Sequence, residues 1–296
     1  MVCNKEIILE EIDHLEWGNM KKEKIIILVL LLIIIIPLIL FYLLKKEENI
    51  NYNFKIYFFN AGKADSILLE KNNKYILIDT GESSLSDDIL KYFKENNITK
   101  LEYLIITHFD KDHVGSASTI IDNIEIGEVL QSNSPKESEY YTNYLNSLSN
   151  KNITPKTVEG NYKLNFEDLE IIVNGPDKVY DKNESNNSSL IVSVTNGNNK
   201  FLFMGDAENA RIKDFISTNN ETYDFIKIPY HGNYLKRLDD LLDDTKSSYG
   251  VMTCSQTEGC ETNTLKVLND YNIKYYMTKN GPVSVYSDGN KITIKQ

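Results

Sequence analysis

The sequence predicts a mixed α/β (α+β) domain, two sheets packed together and covered by helices, preceded by one transmembrane helix. Three observations carry that expectation. An uncharged run of twenty residues spans positions 25–44. From residue 54 onward, strand-like and helix-like stretches alternate with short polar breaks. The composition is that of a folded protein: of 296 residues, 41% are hydrophobic and 25% charged, which excludes a disordered chain. The expected organisation is an N-terminal tail (1–24), the membrane helix (25–44), a linker (45–53) and one domain (54–296).

Twenty apolar residues at ~1.5 Å rise match a ~30 Å hydrocarbon core, a length and purity unlike those of a buried core helix. The run ends in Lys45, Lys46, Glu47 and Glu48 rather than in small residues, so it reads as an uncleaved anchor and not as a signal peptide. Pro37 inside it is tolerated by membrane helices. Lys21, Lys22 and Lys24 on one flank balance Lys45, Lys46 and Lys55 on the other, so basic residues do not orient the span.

Strands are expected over 54–60 (FKIYFFN), 66–70 (SILLE) and 75–79 (YILID), with Asn72-Asn73 turning between the last two. Helical spacing follows over 85–96, with Asp87 and Asp88 suited to its first turn, then a strand over 101–107 and a helix starting near Ser116. The second half predicts strands over 169–173, 190–195, 200–204, 225–229, 250–253, 274–278, 283–287 and 291–295, with helices over 207–217 and 265–271. Segments 132–152 and 181–189, rich in Asn, Ser and Lys, read as surface loops.

Composition narrows the chemistry. With 32 Lys+Arg against 43 Asp+Glu, the net charge of −11 argues against tight binding of a nucleic acid duplex by bulk charge. Three cysteines exclude a disulfide scaffold and a cysteine-rich zinc module. Cys3 precedes the apolar run; Cys254 and Cys260, six residues apart, are either a small disulfide loop or two free thiols.

Of four histidines, His14 precedes the membrane run, while His108, His113 and His231 each follow a strand-like run. Residues 107–115 read Thr-His-Phe-Asp-Lys-Asp-His-Val-Gly. Four candidate ligands within six residues after a strand, His108, Asp110, Asp112 and His113, project imidazole and carboxylate toward one point, as a metal loop requires. A solvated polar loop accounts for any one of them but not for the set.

This string resembles the metal loop of the metallo-β-lactamase superfamily (His-x-His-x-Asp-His), with Asp110 in place of the second histidine. Other pieces follow in that family's order: YILIDTG with Asp79, FLFMGD with Asp206, and IPYHG with His231. The segment 60–66 (NAGKADS), with Asp65, and 187–190 (NSSL), with Asn187, are similar to the extracellular hydrolase domain of ComEC competence proteins. The resemblance covers about 54–296, with one membrane span where full competence proteins have many. Besides Asp110, it departs from the family at three places: no histidine lies between His113 and His231, a His-His-Gly-Ser has become Tyr230-His231-Gly232-Asn233, and a later His-Pro is replaced near Thr262-Asn263.

The resemblance implies an αββα sandwich and a membrane-anchored, metal-dependent hydrolase using metal-activated water, of phosphodiesterase or nuclease type. It implies Asp112, His113 and His231 as the better-filled metal site, Asp206 as a bridge, and His108 with Asp110 at a second, weaker site. Asp112 and His231 would carry the chemistry, with Asp79, Asp65 and Asn187 supporting the ligands and Tyr230 and Asn233 touching substrate. One or two divalent ions are expected, zinc or manganese, with manganese or magnesium favoured at the carboxylate-rich weaker site. The expected partner is a phosphodiester or other small substrate, including single-stranded DNA, and the expected location is the cytoplasmic membrane, single-pass, with the domain outside. Two alternatives stand beside this reading: a degenerate binding module that keeps the fold without catalysis, and a hydrolase of lactones, thioesters or amides, with specificity set by loops such as 132–152.

Overall fold

The structure, a computed structural model, describes residues 22–44 and 52–296; residues 1–21, which include Cys3 and His14, and residues 45–51 of the expected linker lie outside the described residues. The chain divides into two units, Met1–Ile50 and Asn51–Gln296.

In the first unit, α1 (Lys22–Leu44) is a 23-residue helix with Pro37 inside it, starting three residues before the expected span. Isoleucine, leucine and valine stand exposed on every side of it from Ile26 to Ile39, so it has no polar face to turn to water. The side chains described without a break run only from Lys24 to Ile39. Among the described residues no helix is long and apolar enough to cross a membrane.

The second unit is built from two sheets. The first holds β1 (Phe54–Phe58), β2 (Ile67–Lys71), β3 (Lys74–Ile78), β4 (Lys100–Ile106), β5 (Glu125–Gln131), β6 (Lys156–Thr157), β14 (Val283–Ser287) and β15 (Ile292–Lys295), in the order β15-β14-β1-β2-β3-β4-β5-β6. The second holds β7 (Gly160–Phe166), β8 (Leu169–Gly175), β9 (Ile191–Asn196), β10 (Asn199–Phe203), β11 (Phe225–Lys227), β12 (Tyr249–Met252) and β13 (Lys274–Met277), in the order β13-β12-β11-β10-β9-β8-β7. Asn72 and Asn73, both at positive φ, form the expected two-residue hairpin turn between β2 and β3.

Strands β3 to β6 and β10 to β13 pair in parallel, and parallel neighbours need crossover connections. Helices α2 (Ser86–Glu95) and α4 (Ala117–Asn123) serve the first sheet, with the four-residue α3 (Lys111–Val114) inside the metal loop itself. Helices α6 (Asn209–Ile216), α7 (Leu238–Thr245) and α8 (Thr262–Asp270) serve the second. Period-2 alternation sends Phe54, Ile56 and Phe58 of β1 toward Phe201, Phe203 and Phe225 of the other sheet, forming the central core. The outer face of the first sheet (Leu77, Leu104, Val129) packs on Ile89, Phe93 and Ile120. That of the second (Leu202, Ile226, Met252) packs on Ile212, Leu241 and Leu268. The layers are therefore helix, sheet, sheet, helix.

Two segments read as loops are not plain loops. Within 132–152 lies α5 (Glu139–Asn150), its N-terminus capped by Ser138 Oγ, which accepts from Tyr141 N at 3.2 Å. Its buried face is only Tyr144, Ser147 and Leu148, spaced as one helical side but too sparse in apolar residues to stand out from a polar stretch. Segment 181–189 contains a 3₁₀ stretch, Lys182–Ser188. Strands β5 and β7 and helix α7 are also regular elements that the apolar pattern did not mark.

Candidate metal centre

Asp79, His108, Asp206 and His231 follow the ends of β3, β4, β10 and β11, the edge of parallel strands where ligands collect. Three site residues hold left-handed backbone: Asp79 (φ 56°), Tyr230 (φ 51°) and His231 (φ 54°). Such conformations cost about 1–3 kcal/mol each in non-glycine residues and cluster at functional sites. Gly205 also turns left-handed (φ 52°), and a Cβ there would lie 3.0 Å from Ser189 Cβ, so the strand can reach Asp206 only through glycine.

The side chains converge. His113 Nε2 lies 3.3 Å, and His231 Nε2 2.9 Å, from Asp206 Oδ2, while Asp112 Oδ2 lies 3.3 Å from His231 Nε2. Asp112, His113, Asp206 and His231 each offer one ligand atom within 4.8 Å of the others. Behind them, Asp79 Oδ2 is 2.7 Å from His113 Nδ1 and accepts from Thr107 Oγ1 at 2.6 Å, while Oδ1 accepts from Thr107 N at 2.7 Å. His231 Nδ1 faces both O and Oγ1 of Thr253 at 3.1 Å. With both Nδ1 atoms engaged, each ring presents Nε2 forward, the arrangement that orients a metal-binding imidazole. The Nε2 atoms of His108, His113 and His231 and Asp206 Oδ1 are buried and make no well-aligned hydrogen bond among the described residues, His113 and His231 meeting Asp206 Oδ2 only as close charge pairs. Buried polar atoms are seldom left unpaired, so three orphaned nitrogens beside a carboxylate fit a divalent ion bound by mixed N and O donors.

Charge accumulates around this point. Burial opposes ionisation of Asp206, but the adjacent His231 and His113 hold its pKa well below the usual carboxylate range. Burial likewise opposes the charged form of His231, yet Asp206, Asp112 and Asp65 push its pKa up to about 10. His113 is raised by Asp206 and Asp79 against the same desolvation. Asp112 and Asp65 are lowered despite burial, Asp112 by His231 and His113, Asp65 by Lys227 and then His231.

Asp65 reaches the site from behind, accepting from Thr253 Oγ1 at 2.5 Å and pairing with Lys227 Nζ at 2.5 Å. Asn187 Oδ1 accepts from Arg211 N at 3.1 Å and ties down α6, while Ser189, two residues on, meets the site, its Oγ accepting from Asp206 N at 3.1 Å and lying 3.4 Å from His108 Nδ1. The His108–Asp110 pair differs from expectation. Asp110 Oδ1 lies 4.0 Å from His108 Nε2 but 2.5 Å from Lys136 Nζ, so the carboxylate is already matched by an ammonium. Tyr230 lines a cleft of about 470 Å³ at the mouth of the site together with Lys63, Lys111, Asp112 and Lys136. Asn233 is not among the lining residues; its N–H closes the turn onto Tyr230 O at 2.8 Å.

Lys227, Lys136, Thr253 and Ser189 were not singled out from sequence. Only Lys227 had a signal: a lone charge in the apolar strand FIKIP, which period-2 alternation sets on the same inner face as Phe225. Cys254 and Cys260 are joined as a disulfide. Its loop clasps His231, with Cys260 N donating to His231 O at 3.0 Å and a Cβ on Gly259 (φ 75°) falling 2.6 Å from the same oxygen.

Known proteins share this plan. The metallo-beta-lactamase superfamily is matched across residues 60–252. Recombination protein 2 of Haemophilus influenzae is 27% identical over 199 residues, 66% of this chain and 23% of that protein. ComE operon protein 3 of Bacillus subtilis is 23% identical over 202 residues, 60% of this chain and 25% of that protein. The chain thus spans about a quarter of the length of these curated relatives. Among solved structures, the metallo-beta-lactamase fold protein YhfI of Bacillus subtilis superposes with a TM-score of 0.53 at 8% identity, covering 82% of this chain and 99% of that one, which speaks to the fold.

Proposed function

The chain belongs to the metallo-beta-lactamase superfamily, and from that premise we propose that it is a membrane-anchored, metal-dependent hydrolase of phosphodiesters. The observation that carries the reading is the set of buried, unpartnered imidazole nitrogens beside Asp206, opening into a cleft lined by Lys63, Lys111 and Lys136. Asp112, His113, Asp206 and His231 would hold the ion. A divalent ion held there supplies Lewis acidity and a hydroxide nucleophile near neutral pH.

The chain's own groups complete the chemistry. Asp112, ionised and half-open to the cleft, is the acceptor for a proton leaving the attacking water. The pKa of Tyr230 is raised by burial and by Glu208 and Asp206, so its hydroxyl stays protonated and can donate to developing negative charge. Lys63 Nζ sits 5.6 Å from the centre of the Tyr230 ring, beside the other cleft lysines. The three lysines of the cleft are matched by Asp110, Asp112 and Asp206, so a bound ion would add the net positive charge that favours an anionic substrate over a neutral lactone or amide. The net negative charge of the chain favours a single strand or small diester over a duplex. The uncharged sequence run 25–44, part of which lies outside the described side chains, supports a single-pass anchor in a membrane, and the Cys254–Cys260 disulfide supports placement of the domain on its oxidising side.

The test uses the full chain purified in detergent. Bis-p-nitrophenyl phosphate and a single-stranded DNA oligonucleotide, with manganese or zinc added, should be turned over. A chelator should stop the reaction and His113→Ala should abolish it. Metal binding without turnover of any ester would instead identify a binding module.

A further inference from the structure

We propose that this site takes a single metal ion and that the ammonium of Lys136 occupies the place of a second cation; the inference rests on the metal-binding reading above. Four observations meet at this point. Asp110 Oδ1 is 2.5 Å from Lys136 Nζ, which also lies 3.5 Å from Ser185 Oγ. His108 Nε2, 4.0 Å from the same carboxylate oxygen, is buried and unpartnered. Of the other buried carboxylates near the site, Asp65 is committed to Lys227 and Thr253 and Asp79 to Thr107 and His113, while Asp206 turns Oδ2 to His113 and His231 and keeps only Oδ1 unpartnered. Two groups among the described residues lie within mutual ligand reach, Asp112, His113, Asp206 and His231, and the already paired Asp65, Asp79 and His113, and neither includes His108 or Asp110.

A divalent ion between His108 and Asp110 would therefore find one nitrogen, one carboxylate already holding an ammonium and at most the free Oδ1 of Asp206, where about four protein or water donors are usual. It would also have to displace an ammonium from that carboxylate and then sit beside the displaced charge. A lysine is a compact point charge, and this one is held in place. It leads into α5, whose first turn is capped by Ser138 and whose Tyr141 and Tyr144 rings pack on Phe109 at 4.4 and 6.0 Å. Phe109 is the residue between His108 and Asp110, so α5 and the metal loop are packed as one piece. Lys136 also lines the cleft. Beside Asp110 it presents a positive charge to the anionic oxygen of a substrate in the cleft, the electrostatic work a second ion would do.

The readout is ion stoichiometry, which does not depend on turnover. The metal-free full chain in detergent is titrated calorimetrically with manganese. The expected result is one ion per chain for the natural protein and for Lys136→Arg, and a second, weaker event in Lys136→Met. Asp110→Ala should leave the single event intact. Two ions in the natural protein would overturn the proposal, as would a Lys136→Met protein that still takes only one. If Lys136→Met fails to fold, Lys136→Gln is read by the same criterion. No binding at all by the natural protein would overturn the hydrolase reading itself, whereas two ions would leave that reading standing and remove only the role of Lys136.

Discussion

His108 and His113 sit on one loop, both fully buried, with ring centres 4.0 Å apart, yet their surroundings give them opposite ionisation. His113 has Asp79 at Nδ1 and Asp206 at Nε2, and its pKa is raised well above the ordinary imidazole value. His108 has only the hydroxyls of Thr107 and Ser189 near Nδ1, and burial together with the neighbouring His113 lowers its pKa. Asp206 and then Asp110 oppose this without outweighing it, and Asp110 also faces Lys136. Residue type and depth are the same in the two cases. What differs is which carboxylates the rest of the fold leaves free, so one histidine is a proton-holding ligand in a charged cluster and the other a neutral ring beside an internal ion pair.

The largest effect should come from removing the cation that balances the His113 side. Lys227 is fully buried, 2.5 Å from Asp65, 3.6 Å from Asp206 and donating to Gly205 O at 2.9 Å. Lys227→Met leaves two buried carboxylates short of a partner and should cost about 3–5 kcal/mol in chemical denaturation of the metal-free chain. A loss below about 1 kcal/mol would mean that the two histidines alone balance those carboxylates.

Next in size is the loss of His113's orienting partner. Asp79→Asn removes a charge from Nδ1 and should weaken manganese binding about 10–100-fold, the usual consequence of losing such a partner, while His108→Ala should change it less than tenfold. Equal losses in the two variants, measured by calorimetry, would erase the distinction between the rings.

The smallest effect is a slope with pH, and its sign follows from the two rings. The folded pKa of His231 lies at about 10 and that of His113 is also raised. Their contribution to metal-free stability is therefore full below the unfolded value of about 6.5 and is lost as pH rises through the folded values. Asp65, Asp112 and Asp206 are lowered, so their contribution is present above about 3.9 and is lost as pH falls through the folded values. His108, whose pKa is lowered, works the other way and costs stability as pH falls below about 6.5, so the metal-free chain should be most stable near pH ~6.5. Metal must displace the imidazole protons, so affinity should climb with pH between 6 and 9, and calorimetry in buffers of different ionisation enthalpy should register proton release. His108→Ala should leave that release unchanged, because His108 carries no proton to lose; a diminished release would place His108 in the charged cluster.

The sequence by itself determined the layered α/β plan, the apolar helix, the Asn72-Asn73 turn and the identities of Asp79, His108, Asp112, His113, Asp206 and His231. These are local: a strand declares itself by alternation, and its last residues are where a loop must present ligands. The tertiary structure decided how those residues are charged and which of them act together. Thr253 meets Asp65 across 188 positions, Lys136 meets Asp110 across 26, Lys227 reaches both Asp65 and Asp206 from another strand, and Asn187 turns to Arg211. No spacing rule links such positions. The ionisation of a buried group follows from the distances to every neighbouring charge and from the water removed around it, and both exist only once the two sheets have closed.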